Sequence, residues 1–120
     1  MRQRTAFQRI DTRTAEALLS RPELLVLDAR DAGSFDESHI DGAQTLSSAM
    51  LSLRLSDTPK ARPILIYCYH GNASQEYAQI FSDFGFSEVY SLEGGYQAWC
   101  TRTDASEDPV AAALNCASAP

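Results

Sequence analysis

Cys68 is the residue of this chain with the clearest chemistry. It ends the apolar run Ile64-Leu65-Ile66-Tyr67 and opens the polar loop Tyr69-His70-Gly71-Asn72-Ala73-Ser74-Gln75. The run is short, β-branched and aromatic and follows a Pro-bearing loop, so it reads as a buried parallel strand with Cys68 at its carboxyl end. From Ser74 the positions Tyr77, Ile80, Phe81 and Phe84 recur at three- and four-residue spacing, which predicts a helix starting at Ser74 and stopping at Gly85. A thiol in the turn before a helix meets converging backbone N–H groups and the positive end of the helix dipole. Thiolates placed in this way have pKa values lowered to roughly 3.5–7.5. The pattern points to an activated nucleophile. An inert, buried structural cysteine is the alternative, and the Gly71-Asn72 turn signal argues against it, because a core thiol needs no such turn.

The elements that must position Cys68 alternate along the chain. Phe7 to Ile10 reads as a short first strand, and Asp11 or Thr12 can cap a helix carrying Ala15, Leu18 and Leu19 that ends before Pro22. Leu24 to Leu27 reads as a fully buried strand running into Asp28-Ala29-Arg30. A polar stretch anchored by Phe35 and Ile40 follows, then a short strand at Gly42 to Thr45. Ser47 to Leu55 has helical spacing in Met50 and Leu53, with the turn Asp57-Thr58-Pro59 after it. A last strand is predicted at Glu88 to Leu92, and Glu93-Gly94-Gly95 turns into a short helix bearing Tyr96 and Trp99. This alternation predicts an α/β fold with a mainly parallel central sheet and helices on both faces. Ligands of such sheets bind at the carboxyl ends of the strands, where Asp28, Arg30 and Cys68 should meet.

One domain is expected for 120 residues, and a 44% apolar content suffices for its core. The domain should occupy residues 5–103. Residues 104–120, rich in Ser, Asp, Ala and Pro, read as a flexible C-terminal tail. The formal net charge of −6 argues against nucleic acid and against an anionic membrane surface as partners. An anionic substrate must therefore be attracted locally, by the loop amides. The three cysteines, Cys68, Cys100 and Cys116, form no C-x-x-C pair and no zinc spacing, and their odd number speaks against a disulfide framework. Together with an N-terminal stretch that lacks an apolar segment of signal-peptide type, this predicts a cytoplasmic protein. No run is long enough to span a bilayer.

Three motifs in register resemble the rhodanese family. Leu25-Val26-Leu27-Asp28-Ala29-Arg30, with Phe35 and His39-Ile40-Asp41-Gly42-Ala43 behind it, is similar to the family's amino-terminal signature. Cys68 to Ser74 resembles the active-site loop of the single-domain bacterial thiosulfate sulfurtransferases encoded with glycerol-3-phosphate genes. Leu92-Glu93-Gly94-Gly95-Tyr96-Gln97-Ala98-Trp99 resembles the carboxy-terminal signature. The resemblance spans roughly Phe7 to Trp99 and implies a single rhodanese-like domain. It implies that Cys68 is a persulfide-forming nucleophile and that Tyr69, His70, Gly71, Asn72 and Ala73 make an anion cradle, with Ser74 and Arg30 as further substrate-binding candidates. The implied reaction moves sulfane sulfur from thiosulfate to cyanide or a thioredoxin-like dithiol in two ping-pong steps and needs no metal or organic cofactor. Many members place arginine directly after the cysteine. Tyr69 stands there instead, which implies weaker thiosulfate binding.

Other readings of the same residues stay open. A cysteine phosphatase or arsenate reductase also sets its thiolate before a helix, but it needs arginine six residues on, and Ser74 occupies that position. Ser74 reads better as a helix cap. His70 as the base of a Cys–His dyad would have to turn back along a tight loop. A rhodanese-like binding or regulatory module would usually lack the cysteine. Arg30 either helps hold the loop and its donor or pairs with Asp28 to fix the following segment, and the ion pair is favoured. His39 reads as a structural hydrogen-bonding residue, Tyr96 and Trp99 as core or rim aromatics, and Cys100 as a possible second redox thiol with no spacing that brings it to Cys68.

Overall fold

The apolar strands sort their side chains to two faces, and that division builds the fold. The computed structural model describes residues 6–101. Its elements are β1 (Gln8–Ile10), α1 (Thr12–Leu18), β2 (Leu25–Asp28), α2 (Ala32–Glu37), β3 (Gln44–Thr45), α3 (Leu51–Asp57), β4 (Ile64–Tyr67), α4 (Ala73–Asp83), β5 (Val89–Leu92) and α5 (Gly95–Thr101). The strands form one sheet in the order β1-β5-β4-β2-β3, and every pairing in it is parallel.

All four residues of β2 and all four of β4 are buried, as a central parallel strand covered on both faces requires. With period two, Val26, Leu65, Tyr67 and Leu92 pack on one side with Ala15, Ile40, Tyr96 and Cys100. Leu25, Leu27, Ile64, Ile66 and Val89 pack on the other with Leu55, Ala78, Phe81 and Phe86. Helices α1, α2 and α5 thus cover the first face, and α3 and α4 the second, as the strand alternation leads one to expect.

Several boundaries differ from the sequence reading for local reasons. Helix α2 lies within what reads as a polar stretch: Asp31 caps it by accepting the Ser34 N–H at 2.9 Å, but its sequence offers little apolar periodicity. Helix α3 starts at Leu51, after a turn closed by Met50 N–H donating to Ser47 C=O. Asn72 stands at the N-terminal boundary of helix α4 without a side-chain cap hydrogen bond, so Ser74 lies inside the helix and is not its cap. Phe84 closes that helix at 56% exposure and is no core residue. Asp11 does cap α1, through the Thr14 N–H. The expected tail 104–120, with Cys116, lies outside the described residues.

Strand register brings the carboxyl ends together. Asp28 is opposite both Tyr67 and Thr45, and Ile66 is opposite Ser91. The residues that follow, Ala29-Arg30, Cys68-Tyr69 and Glu93-Gly94, therefore open three loops along one edge of the sheet. Among the described residues no helix is long and apolar enough to cross a membrane.

Candidate active site

Cys68 sits directly after β4 at 4% exposure, with its sulfur turned into the loop that leads to α4. The Gly71 N–H donates to Sγ at 3.2 Å and the Ser74 N–H at 3.3 Å. Ser74 Oγ lies 3.5 Å from Sγ and 2.8 Å from Ser91 Oγ. With the sulfur ionised, the Ser74 hydroxyl turns its proton to it and can accept the proton of Ser91, giving a chain of two hydroxyls behind the thiolate. Burial pushes the Cys68 thiol up, but the Ser74 hydroxyl and the amides of Ser74, Gly71 and His70 outweigh it and leave the thiol below its ordinary value. The N-terminus of α4 adds its dipole in the same sense.

This curl of the chain depends on glycine at two points. Gly71 has φ +95°, and a Cβ there would stand 2.9 Å from Gly94 N. Gly95 has φ +61°, and a Cβ there would meet Cys68 O and Tyr69 O at 2.5 Å. That contact lets the first turn of α5 reach the loop: Tyr96 N–H donates to Cys68 C=O at 2.7 Å and Gln97 N–H to Tyr69 C=O at 3.2 Å. Both are N-terminal helix donors with no partner in their own helix. Gln75 Nε2 braces the other side by donating to Gly71 C=O at 2.7 Å.

The other candidates divide into those at the loop mouth and those beneath it. His70, Asn72 and Ala73 are exposed around the mouth, and among the described residues no hydrogen bond joins the His70 ring to Sγ. Tyr69 leans toward α2: its hydroxyl donates to Asp31 and lies 2.8 Å from Ser34 Oγ. The Tyr69 hydrogen bond, then those of Ser34, hold the Asp31 carboxyl down to about 2. Arg30 lies beneath. Its guanidinium is 1% exposed, bonds Asp28 at 2.8 Å and Ser38 C=O at 2.6 Å, and stacks 4.0 Å from the Tyr96 ring centroid. Arg30 thus forms the ion pair that fixes the segment after β2, and it touches the loop only as a floor, 5.9 Å from the Tyr69 ring centroid.

His39 stacks on Phe35 and hydrogen-bonds its carbonyl through Nδ1, a structural role. Cys100 is disulfide-bonded, against the expectation of reduced cysteines, and Cys68 is the free thiol among the described residues. Ser91, Asp31 and Ser34 belong to the site but carry no motif in the sequence. The strand alternation that turns Ser91 toward α4 was their one legible trace, since a serine in a buried strand asks for a partner.

A model of the rhodanese-like domain matches residues 11–102. The thiosulfate sulfurtransferase GlpE of Tolumonas auensis is 39% identical over 93 residues, covering 78% of this chain and 88% of the relative. GlpE of Coxiella burnetii is 40% identical over 93 residues, covering 78% and 87%. Among solved structures, a rhodanese-like domain from Anabaena superposes with a TM-score of 0.69 at 24% identity, covering 83% of this chain and 86% of that one. A Rhodopseudomonas palustris protein of unknown function, described as a possible tyrosine phosphatase, superposes with a TM-score of 0.67 at 25% identity, covering 78% and 79%.

Proposed function

The chain belongs to the family of rhodanese-like domains, and from that membership we propose that it is a thiosulfate sulfurtransferase working through a persulfide on Cys68. The Cys68 thiolate attacks the outer sulfur of thiosulfate. A new S–S bond forms, the old one breaks, and sulfite leaves with the bonding electron pair. A thiophilic acceptor, cyanide or a thioredoxin-like dithiol, then takes the terminal sulfur and returns the thiolate. The observation that carries this reading is the free Cys68 sulfur facing the Gly71 and Ser74 amides and the Ser74 hydroxyl. Such donors stabilise the thiolate, the bound anion and the persulfide without rearranging.

Tyr69, His70, Gly71, Asn72 and Ala73 line the donor's approach, while Arg30 acts from below. The free Cys68 thiolate and its persulfide favour the cytoplasm, where thiols are kept reduced, whereas the disulfide at Cys100 is a feature that compartment disfavours. The phosphatase alternative suffers from Ser74, which stands where a guanidinium clamp would be needed and is buried with its hydroxyl on sulfur. A purely binding module would have no use for an activated free thiol. The test is a mass spectrum of the protein after incubation with thiosulfate: one added sulfur on Cys68, discharged by cyanide, is expected. An unmodified Cys68 under these conditions would overturn the proposal.

A further inference from the structure

The residue next to the nucleophile is tied to a carboxylate. Tyr69 donates its hydroxyl proton to Asp31, and Ser34 completes the knot: its N–H reaches Asp31 Oδ1 at 2.9 Å and its Oγ lies 3.1 Å from Oδ2. The adjacent cation cannot neutralise this carboxylate, because Arg30 is buried against Asp28 and Ser38. No Lys or Arg occurs from Tyr69 to Gln75. Exposed Asp31 therefore sets a negative charge on the Tyr69 side of the loop, and the phenol of Tyr69, the residue after the nucleophile, has no proton to offer a substrate oxyanion.

Resting on the sulfurtransferase reading, we propose that Asp31 is a specificity-determining residue that disfavours dianionic thiosulfate relative to monoanionic sulfane donors of the thiosulfonate class. Both donors react alike: the thiolate takes the outer sulfur, and sulfite or an organic sulfinate departs with the electron pair. They differ in charge, and repulsion scales with it. A unit charge on the order of 10 Å away in water at 0.01 M salt changes dianion binding about threefold and monoanion binding less than twofold.

The test compares kcat/KM for thiosulfate and methanethiosulfonate, with cyanide as acceptor, in wild type and Asp31→Asn at 0.01 M and 1 M salt. Asparagine is an equally good helix cap, with Oδ1 still accepting the Ser34 N–H, while Nδ2 stands in for Oδ2 and donates to the Tyr69 and Ser34 hydroxyl oxygens, so the change removes the charge and keeps the contacts with those two hydrogen bonds reversed. Asp31→Ser is a second uncharged cap for the same comparison. At low salt, kcat/KM for thiosulfate should rise about threefold and for the thiosulfonate less than twofold, and both gains should vanish at 1 M, where the screening length is about 3 Å. Equal factors for the two donors, a fall with thiosulfate, or a gain that survives 1 M salt would refute the role of Asp31 while leaving sulfur transfer intact. A wild-type protein that transfers sulfur from neither donor would instead remove the sulfurtransferase reading, and this inference with it.

Discussion

Ser74→Ala removes one hydroxyl from behind the nucleophile and little else. Ser74 is fully buried and its Oγ lies 3.5 Å from Cys68 Sγ. A hydrogen bond to a charged group contributes about 1.5–3 kcal/mol, and a pKa unit corresponds to about 1.36 kcal/mol. The Cys68 pKa should therefore rise by about one to two units. A more basic thiolate is also a better nucleophile, by about 0.4–0.5 log units for each unit of pKa. The pH profile of alkylation by iodoacetamide should then cross that of wild type. On the acid limb Ser74→Ala should react about three- to tenfold more slowly, and on the alkaline plateau faster by a similar factor. Ser91→Ala should shift the profile in the same direction by less, because Ser91 reaches the sulfur only through Ser74. An unshifted profile would refute the hydroxyl chain, and a parallel fall of both limbs would show that the substitution had merely spoiled the loop.

Cys68→Ser should abolish thiocyanate formation and leave the thermal midpoint within a few degrees of wild type, measured on the same preparation. Gly95→Ala should cost about 1–3 kcal/mol in chemical denaturation and most of the turnover, since its Cβ would stand 2.5 Å from two loop carbonyl oxygens. Arg30→Ala should destabilise by about 3–5 kcal/mol by stranding buried Asp28; Arg30→Lys, assayed where it is folded, should keep KM for thiosulfate within about twofold if Arg30 binds no donor. The lowered Cys68 pKa stabilises the folded state only when the thiol is ionised. The stability of wild type relative to Cys68→Ala should therefore rise with pH through the folded-state pKa, level off near the unfolded thiol value of about 8.5, and be lost as pH falls; urea titrations at several pH values would check the sign.

Much of this architecture is written in local patterns. The runs Leu25 to Leu27 and Ile64 to Tyr67 are too continuously apolar for a half-exposed strand, and the structure buries both on two faces. Cys68 could be placed at a strand end from its neighbours alone. Other features depend on contacts between distant segments, which no local pattern records. Asp31 and Ser34 look like ordinary cap residues until α2 is packed beside the loop and Tyr69 reaches across 38 residues to meet them. Ser74 looks like a cap because serine commonly is one; the sulfur in front of it and Ser91 behind it give the hydroxyl better partners inside. Arg30 is legible as a charge at the sheet edge, but its pairing with Asp28 follows from a burial that only the complete fold produces.

The grip of α5 on the loop has a geometric corollary. In a trans peptide unit the C=O and the N–H point in opposite directions across one rigid plane. Gln97 pins the carbonyl of the unit joining Tyr69 to His70, and Tyr96 pins that of the unit joining Cys68 to Tyr69. Each plane is thereby held against flipping, and the His70 N–H, on the far side of its pinned unit, is turned toward the sulfur that it helps to stabilise. The inward aim of that amide is thus set from outside the loop, by two backbone donors of α5. The exposed side chain at position 97 can vary without disturbing this lever, whereas a one-residue insertion between Leu92 and Gly95 would rotate the two donors by about 100° around the helix axis and let the planes turn.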